Sequence, residues 1–244
     1  MTDKRVLIGM LTPSSNTALE PLCCRMVAGL PEVSMHFSRF RVTEISLREN
    51  ALGQFEDRPI LDAAELLADA RMNVIVWNGT SSGWLGFEAD HRLCERIEQA
   101  TGIQATTSVL ALNELLERQG AREFGLVTPY LDDVQERIAA TYKGNGFKVM
   151  AERHLNDRGN FSYSQYDADT VSKMVRDVAK ERPGAISTFC TNLHAAHLVN
   201  GLENEVGIPI FDTIATAVWK SLHLTGVDTR RVHGWGRLFR EHAD

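Results

Sequence analysis

The sequence has no long hydrophobic run, no excess of basic residues and few cysteines, and each absence excludes a class of protein. None of its apolar stretches reaches the roughly 20 residues that a membrane-spanning helix needs. Its 26 Lys and Arg residues are outnumbered by 32 Asp and Glu residues, so the formal net charge is -6. Such a balance gives no electrostatic footprint for nucleic acid or for an anionic membrane surface. We therefore expect neither nucleic acid nor membrane as a partner.

The four cysteines, Cys23, Cys24, Cys94 and Cys190, contain no C-x-x-C pair and no spacing typical of a zinc site. The chain runs directly into a strand-like stretch, so no signal peptide is predicted. Together these features predict a reduced, cytoplasmic protein without a metal. The hydrophobic fraction of 43% is typical of a globular chain, here 244 residues in one large domain or two lobes.

Apolar, strand-like runs alternate with amphipathic, helix-like segments along the whole chain. Continuous apolar runs such as 5–11 and 74–77 are typical of buried parallel strands. Residues 57–71 and 167–181 have the periodicity of helices that bury one face. This alternation predicts an α/β protein with parallel sheets flanked by helices.

The pattern of the first half restarts in the second half. Residues 9–14, Gly-Met-Leu-Thr-Pro-Ser, match residues 125–130, Gly-Leu-Val-Thr-Pro-Tyr. Residues 76–81 take the place of residues 187–192, and a third match follows in the same order. The number of residues between matching positions decreases steadily along the chain, as loop-length changes between two copies of one unit would produce. The repeat predicts two pseudo-symmetric lobes.

The duplication places one site between the lobes. We assign residues 1–113 and 214–244 to lobe 1 and residues 114–213 to lobe 2. Loops at the carboxyl ends of parallel strands form ligand sites, so the site is expected in the interlobe cleft. The repeat pairs Cys190 of lobe 2 with Gly79 of lobe 1. The cleft would then hold a thiol on one side and a backbone-lined space on the other.

Cys190 is the first candidate for chemistry in this cleft. It follows the strand-like run 185–189 and precedes a segment, 193–205, with the pattern of a helix. A cysteine at a helix N-terminus is expected to favour its thiolate form. It can then act as a nucleophile or as a proton donor. The alternative is a small buried apolar residue.

Four segments of the chain resemble a known enzyme superfamily. Residues 79–81 (Gly-Thr-Ser), 130–137 (Tyr-Leu-Asp-Asp-Val-Gln-Glu-Arg) and 234–239 (Gly-Trp-Gly-Arg-Leu-Phe) resemble the arylmalonate decarboxylase branch of the aspartate/glutamate racemase superfamily. Residues 13–17 (Pro-Ser-Ser-Asn-Thr) resemble instead the maleate cis–trans isomerase branch. The resemblance covers nearly the whole chain and implies a cofactor-independent enzyme with its site between two lobes. In the decarboxylase branch a single cysteine lies at the position of Cys190.

The decarboxylase resemblance implies a carboxy-lyase acting on a malonate-type dicarboxylic acid with an aryl or small substituent. Cys190 would deliver a proton to one face of an enediolate, and hydroxyls of Thr80, Ser81 and Tyr130 would stabilise its negative charge. A two-cysteine racemase is not expected, because Gly79 has no thiol. The alternatives for these three residues are helix capping and a rim aromatic.

Further substrate contacts are expected from the loops that surround Cys190 and its lobe 1 counterpart. The expected substrate-binding residues are Ser14, Asn16, Gly79, Ser82, Thr191 and Asn192. For Ser14 and Asn16 the alternative is a cap on the first helix. The expected partner is a small dicarboxylic acid, and the chain is expected to be a monomer or a small homo-oligomer.

Two other functions stay open at this point. One is a maleate isomerase-like reaction in which Cys190 is the nucleophile. The other is a non-catalytic module that binds a small acid in the same cleft. His194 and His197 lie three residues apart after Cys190, but no third metal ligand is evident, so we interpret them as surface or packing residues.

Overall fold

The computed structural model of the protein describes residues 5–42, 44, 47 and 57–243, and its strands form two parallel sheets. The strands are β1 (Val6–Pro13), β2 (Val33–Phe40), β3 (Val74–Trp77), β4 (Ala105–Thr107), β5 (Glu123–Thr128), β6 (Lys148–His154), β7 (Ile186–Thr188) and β8 (Ile210–Asp212). The first sheet has the order β2-β1-β3-β4 and the second the order β6-β5-β7-β8, with parallel pairing throughout. The identical orders confirm the predicted fold of two pseudo-symmetric α/β lobes.

Helices flank both sheets close to the predicted positions. They are α1 (Leu19–Met26), α2 (Asp57–Asp69), α3 (Ser82–Leu85), α4 (Phe87–Thr101), α5 (Ser108–Arg118), α6 (Asp132–Gly144), α7 (Ala168–Ala179), α8 (Val199–Val206), α9 (Thr213–Leu224) and α10 (Leu238–Glu241). Short 3-10 turns lie at Phe161–Gln165, Ala196–Leu198 and Thr229–Arg231. The second predicted strand was expected to reach residue 43, which lies outside the described residues. Among the described helices, none is long and apolar enough to cross a membrane.

Two glycines in the central strands show that the duplication extends to packing. Gly9 in β1 and Gly125 in β5 each let a crossover element approach the sheet closely. A Cβ at Gly9 would lie 2.9 Å from Met72 Cγ, and one at Gly125 would lie 2.2 Å from Val178 Cγ1. Any larger residue would push these neighbours away, so the glycine is needed at the same place in both lobes.

Helix α9 crosses from one lobe to the other. It starts directly after β8 of the second sheet, where Asp212 caps it by accepting N–H bonds from Ile214 and Ala215. Its Thr216 hydroxyl then donates to the Ser108 carbonyl of α5, at 2.9 Å. The helix therefore ties the two sheets together, while the assignment of residues 214–244 to lobe 1 stays a prediction.

The carboxyl ends of the strands set the location of the site. In each sheet the central strand and the next strand in order end side by side, so their following loops meet at one edge. These loops contain Gly79 after β3, Tyr130 after β5 and Cys190 after β7. A ligand site outside the carboxyl ends of parallel strands is the general rule for such sheets.

Candidate active site

A small cavity lies where the loops of the two lobes meet. It is lined by Pro13, Val42, Trp77, Gly79, Thr80, Ser81, Trp84, Tyr130, Asn160, Cys190 and Thr191. Its volume is about 20 Å³, and about 10–15 Å³ is enough for one water molecule. A dicarboxylic acid therefore enters only when the lobes separate or the lining side chains rotate.

Strand register confirms that Gly79 and Cys190 occupy equivalent positions. Trp77 is paired with the central strand of its sheet two residues after Gly9, and Thr188 is paired likewise two residues after Gly125. Gly79 and Cys190 each come two residues later, at the start of the loop that enters the cavity. The site thus has a thiol from lobe 2 and bare backbone from lobe 1.

Cys190 is a buried thiol, and its environment differs from the predicted one. No helix begins at this residue: a turn follows, then the 3-10 turn from Ala196, and α8 starts only at Val199. The expectation that a helix N-terminus favours the thiolate is therefore wrong. Burial raises the pKa of Cys190 to about 11, although hydrogen bonds from the Tyr130 hydroxyl and the Asn192 N–H oppose that rise. Cys190 is protonated at neutral pH.

The predicted oxyanion residues form a hydroxyl cluster facing this thiol. The Thr80 and Tyr130 hydroxyl oxygens are 2.5 Å apart, and Tyr130 also hydrogen-bonds to Cys190. Tyr130 is only 2% exposed, so it forms a cavity wall and not a rim. Burial, followed by the neighbouring Cys190, raises its pKa well above the usual value, so the hydroxyl keeps its proton. Ser81 lines the same cavity. The arrangement supplies neutral hydrogen-bond donors beside a neutral thiol.

Two serines expected to contact the substrate have other partners. The Ser82 hydroxyl donates to Asp90 Oδ2 at 2.8 Å and is absent from the cavity wall. Ser14 is exposed, and its hydroxyl accepts from the Val42 N–H at 3.1 Å. In this structure Ser82 supports Asp90 behind the cavity loop and Ser14 holds Val42 in place, and the substrate contacts of both side chains stay predictions.

Two asparagines expected to bind substrate form hydrogen bonds between the lobes. Asn16 Nδ2 donates to the Thr191 carbonyl at 2.9 Å, while its Oδ1 accepts N–H bonds from the start of α1. Asn192 Oδ1 accepts from the Thr17 N–H at 2.9 Å, and its Nδ2 donates to the Asn160 carbonyl. The substrate contact of Asn192 stays a prediction beside this interlobe role. Asn16 reaches a substrate only if it releases Thr191, so its contact stays a prediction.

Thr191 both lines the cavity and joins the lobes, because its hydroxyl donates to the Asn78 carbonyl at 2.9 Å. Five further lining residues, Pro13, Val42, Trp77, Trp84 and Asn160, were not among the predicted site residues. Asn160 is a polar side chain in a loop, which is the only signal in the sequence that could have suggested it.

Two carboxyl groups are buried behind the cavity loops. Asp90 accepts from the Ser82 and Thr107 hydroxyls, and burial raises its pKa to about 6. Asp212 accepts from the Thr188 hydroxyl at 2.7 Å, and burial raises its pKa to about 7. These groups make stability depend on pH, because the folded chain retains protons that the unfolded chain releases.

We expect Asp212→Asn to flatten that pH dependence. Since the pKa of Asp212 is raised from about 4, the free energy of unfolding should fall as the pH rises from about 4 to about 7, by at most about 4 kcal/mol, and then level off. Asparagine keeps the helix cap and cannot titrate. Urea unfolding across this pH range measures the slope.

A helix-capping carboxyl whose pKa is lowered provides the control. Asp167 caps α7 at the surface, and the Thr170 N–H bond lowers its pKa. Asp167→Asn should therefore leave the fall between about pH 4 and 7 in place. An unchanged slope in Asp212→Asn would show that Asp212 does not carry a raised pKa.

No group of three or more His, Cys, Asp or Glu side chains in the described ranges is arranged to hold a metal ion. The rings of His194 and His197 pack against each other with centroids 4.3 Å apart and an interplanar angle of 37°, and burial lowers the pKa of both. Their contact is thus a packing contact between neutral rings.

The fold and the cleft define a two-lobed α/β enzyme class with a buried thiol opposite a hydroxyl cluster. The chain belongs to the arylmalonate decarboxylase family, whose model matches residues 8–239. An arylmalonate decarboxylase from Bordetella bronchiseptica is 28% identical over 185 residues, which is 75% of this chain and 77% of that protein. A maleate isomerase from Nocardia farcinica is 26% identical over 247 residues, covering 96% of this chain and 95% of its own.

Solved structures of both kinds share the fold. The Nocardia farcinica maleate cis–trans isomerase, as a cysteine-to-serine mutant with a covalently bound succinylcysteine intermediate, gives a TM-score of 0.89 at 23% identity, with 98% of this chain and 99% of that chain covered. A liganded mutant of arylmalonate decarboxylase has a glycine changed to cysteine and a cysteine changed to serine. It gives a TM-score of 0.84 at 21% identity, with 98% of this chain and 100% of that chain covered. Relatives of this chain are thus decarboxylases or isomerases, and some bind small dicarboxylic acids such as maleate.

Proposed function

We propose that the protein is a cofactor-independent carboxy-lyase that decarboxylates a malonate-type acid with a small substituent. The observation that carries this proposal is the pairing of one thiol with hydroxyl donors in one cavity. Cys190 faces Thr80, Ser81 and Tyr130, while the equivalent position in lobe 1, Gly79, has no acid or base group. Reactions that need two acid/base groups on opposite faces are therefore disfavoured.

The proposed reaction breaks one carbon–carbon bond and forms one carbon–hydrogen bond. As CO₂ leaves, the electron pair of the broken bond passes into the remaining carboxylate to give an enediolate. Fixed hydroxyl donors of Thr80, Ser81 and Tyr130 stabilise the negative charge that develops there. Cys190 then transfers its S–H proton to the α-carbon, and the thiolate regains a proton from water.

The buried surroundings of Cys190 suit this role. A thiol with a raised pKa is protonated before the reaction, and its thiolate is a strong enough base to be reprotonated by water afterwards. The indole rings of Trp77 and Trp84 and the side chain of Val42 supply apolar walls. Neutral CO₂ is accommodated by such walls better than the carboxylate from which it forms.

The pH dependence of the rate separates a proton donor from a nucleophile. Because proton donation needs the S–H form, we expect kcat to show no loss from this group up to about pH 10 and to fall above about pH 11. An attacking thiolate would instead give a rate that rises about tenfold per pH unit below the pKa. Steady-state kinetics from about pH 6 to about pH 10 distinguishes the two, and a steep rise would contradict proton donation.

A maleate isomerase-like activity is the second candidate. It is favoured by the maleate isomerase relative that covers 96% of this chain. In that organism's isomerase structure one cysteine is replaced by serine while another carries the succinyl adduct. Here strand register makes Gly79 the counterpart of Cys190, so one of these two equivalent loop positions has no thiol. An isomerase would have to use Cys190 as its sole thiol in this cleft, in a form that burial disfavours.

The direct test is a panel of acids assayed with the purified protein. Methylmalonate and ethylmalonate should release CO₂, and maleate should remain unconverted. Formation of fumarate without CO₂ would favour the isomerase. Thermal stabilisation by these acids without any product would favour a binding module.

The four free cysteines are consistent with the cytoplasmic location that we propose.

A further inference from the structure

Trp77 occupies the space that a side chain at position 79 would need. A Cβ built on Gly79 would lie 1.9 Å from Trp77 Cζ2 and 2.4 Å from Trp77 Cε2. The indole is only 1% exposed, and its ring centroid is 5.1 Å from that of Phe40. Its backbone is also fixed, because the Ser108 hydroxyl lies within hydrogen-bond distance of both the Trp77 and Gly79 carbonyls. The indole is thus a rigid part of the cavity wall.

The second lobe has the opposite order of large and small side chains at these two positions. Thr188 stands at the position equivalent to Trp77, and its small side chain turns to Asp212. Cys190, at the position equivalent to Gly79, therefore has room to enter the cavity. One lobe places a large residue before a glycine, and the other places a small residue before the thiol. The two choices are coupled, because the indole and a side chain at 79 exclude each other.

We propose that Trp77 is the specificity-determining residue of this cleft and that it restricts the substrate to acids with a substituent of about methyl size. This inference rests on the proposed function for the reaction, but its claim about size also applies to simple binding. With the indole in place, position 79 carries no side chain that could move a proton. The indole fills the space beside Gly79, so a substituent on that side of the cleft meets a rigid wall and not an open pocket.

Removing the indole should therefore enlarge the pocket at the substituent. Hydrophobic pockets discriminate by about 10–200-fold for a single methylene group, and Trp77→Leu removes several carbon atoms from the wall. The matched control is Phe40→Leu, which truncates the aromatic partner of Trp77 but is not itself part of the cavity wall. It reports the effect of loosening the local core alone.

Calorimetric titration with propionate and phenylacetate tests the proposal without any chemistry. Trp77→Leu should lower the ratio of the phenylacetate Kd to the propionate Kd by about tenfold or more, and Phe40→Leu should leave it within about threefold of wild type. An unchanged ratio, or a Trp77→Leu protein that binds neither acid, overturns the proposal. If Trp77→Leu does not fold, Trp77→Phe is used, with a smaller shift expected in the same direction.

Kinetics with methylmalonate and phenylmalonate then separates this proposal from the proposed function. If both are correct, the preference in kcat/KM shifts toward phenylmalonate in Trp77→Leu by a similar factor. If the wild type decarboxylates methylmalonate and the preference does not move, Trp77 is not the determinant. If no malonate is decarboxylated and the Kd ratio still shifts, the size role of Trp77 stands and the proposed reaction is wrong.

Discussion

Replacing Cys190 with alanine is expected to reduce kcat for CO₂ release by about 10²–10⁴, which is the usual contribution of a positioned general acid. Cys190 supplies the thiol among the residues that line the cavity, and Gly79 on the other side offers no substitute. The enediolate would then have to take its proton from water. KM should change little, because the hydroxyl cluster and the cleft walls remain.

The fold should survive this change, because losing one sulfur atom beside an existing cavity costs about 1 kcal/mol or less. Cys23→Ala is the matched control: Cys23 is also fully buried, but it lies in α1 away from the cavity wall. Its kcat should stay close to that of wild type. Activity retained in Cys190→Ala, in a protein with an unchanged melting temperature, would remove Cys190 from the reaction.

Tyr130→Phe and Thr80→Val are each expected to reduce kcat by about 10²–10³, the usual effect of losing one oxyanion donor. Both hydroxyls are buried, and they are hydrogen-bonded to each other at 2.5 Å. Each substitution therefore removes one donor and leaves the other hydroxyl without the partner that orients it. Because the two act as a unit, the double variant should lose less than the product of the single effects.

Tyr163→Phe is the control for the tyrosine. The Tyr163 ring packs against that of Tyr130 with centroids 5.7 Å apart, and its hydroxyl donates to the Asp157 carbonyl outside the cavity. It should lose stability of about 1 kcal/mol from the missing hydrogen bond and keep its kcat. Kinetic losses of equal size in Tyr130→Phe and Tyr163→Phe would mean that the tyrosines only support the fold.

The fold could be predicted because the signals that specify it are local and repeated. Continuous apolar runs mark the buried strands, and the repeat fixes which loop of one lobe corresponds to which loop of the other. The pairing of Gly79 with Cys190 followed from this repeat alone, and strand register confirms it. The helix predicted over 193–205 begins only at Val199, because the apolar residues before it belong to a turn that packs into the core.

The site could be predicted only where a residue belongs to a loop at the carboxyl end of a strand. Asn160 and Val42 reach the cavity because the two lobes are packed together, and sequence periodicity contains no signal for that. Ser82 and Asn192 have side chains suited to binding a carboxylate, but the folded chain already satisfies their hydrogen bonds. A polar residue in the right loop is therefore a weaker indication than a polar residue without a partner.

The interlobe bonds of Asn16 and Asn192 have a consequence for binding. They close the cleft around a cavity that is too small for a dicarboxylic acid, so substrate entry has to break some of them. Binding energy spent on reopening them raises KM without affecting the proton transfer. We therefore assign the two asparagines to the opening of the cleft, and Cys190 and the hydroxyl cluster to the chemical step.

The central claim is that one thiol protonates an enediolate from one face, and product handedness tests it most directly. With 2-hydroxy-2-methylmalonate as substrate, loss of CO₂ gives lactate with a new stereocentre, and chiral chromatography measures its two enantiomers. One-sided protonation by Cys190 predicts a single enantiomer from the wild-type protein. Racemic lactate, or no lactate from a folded protein that converts maleate to fumarate, would contradict the account.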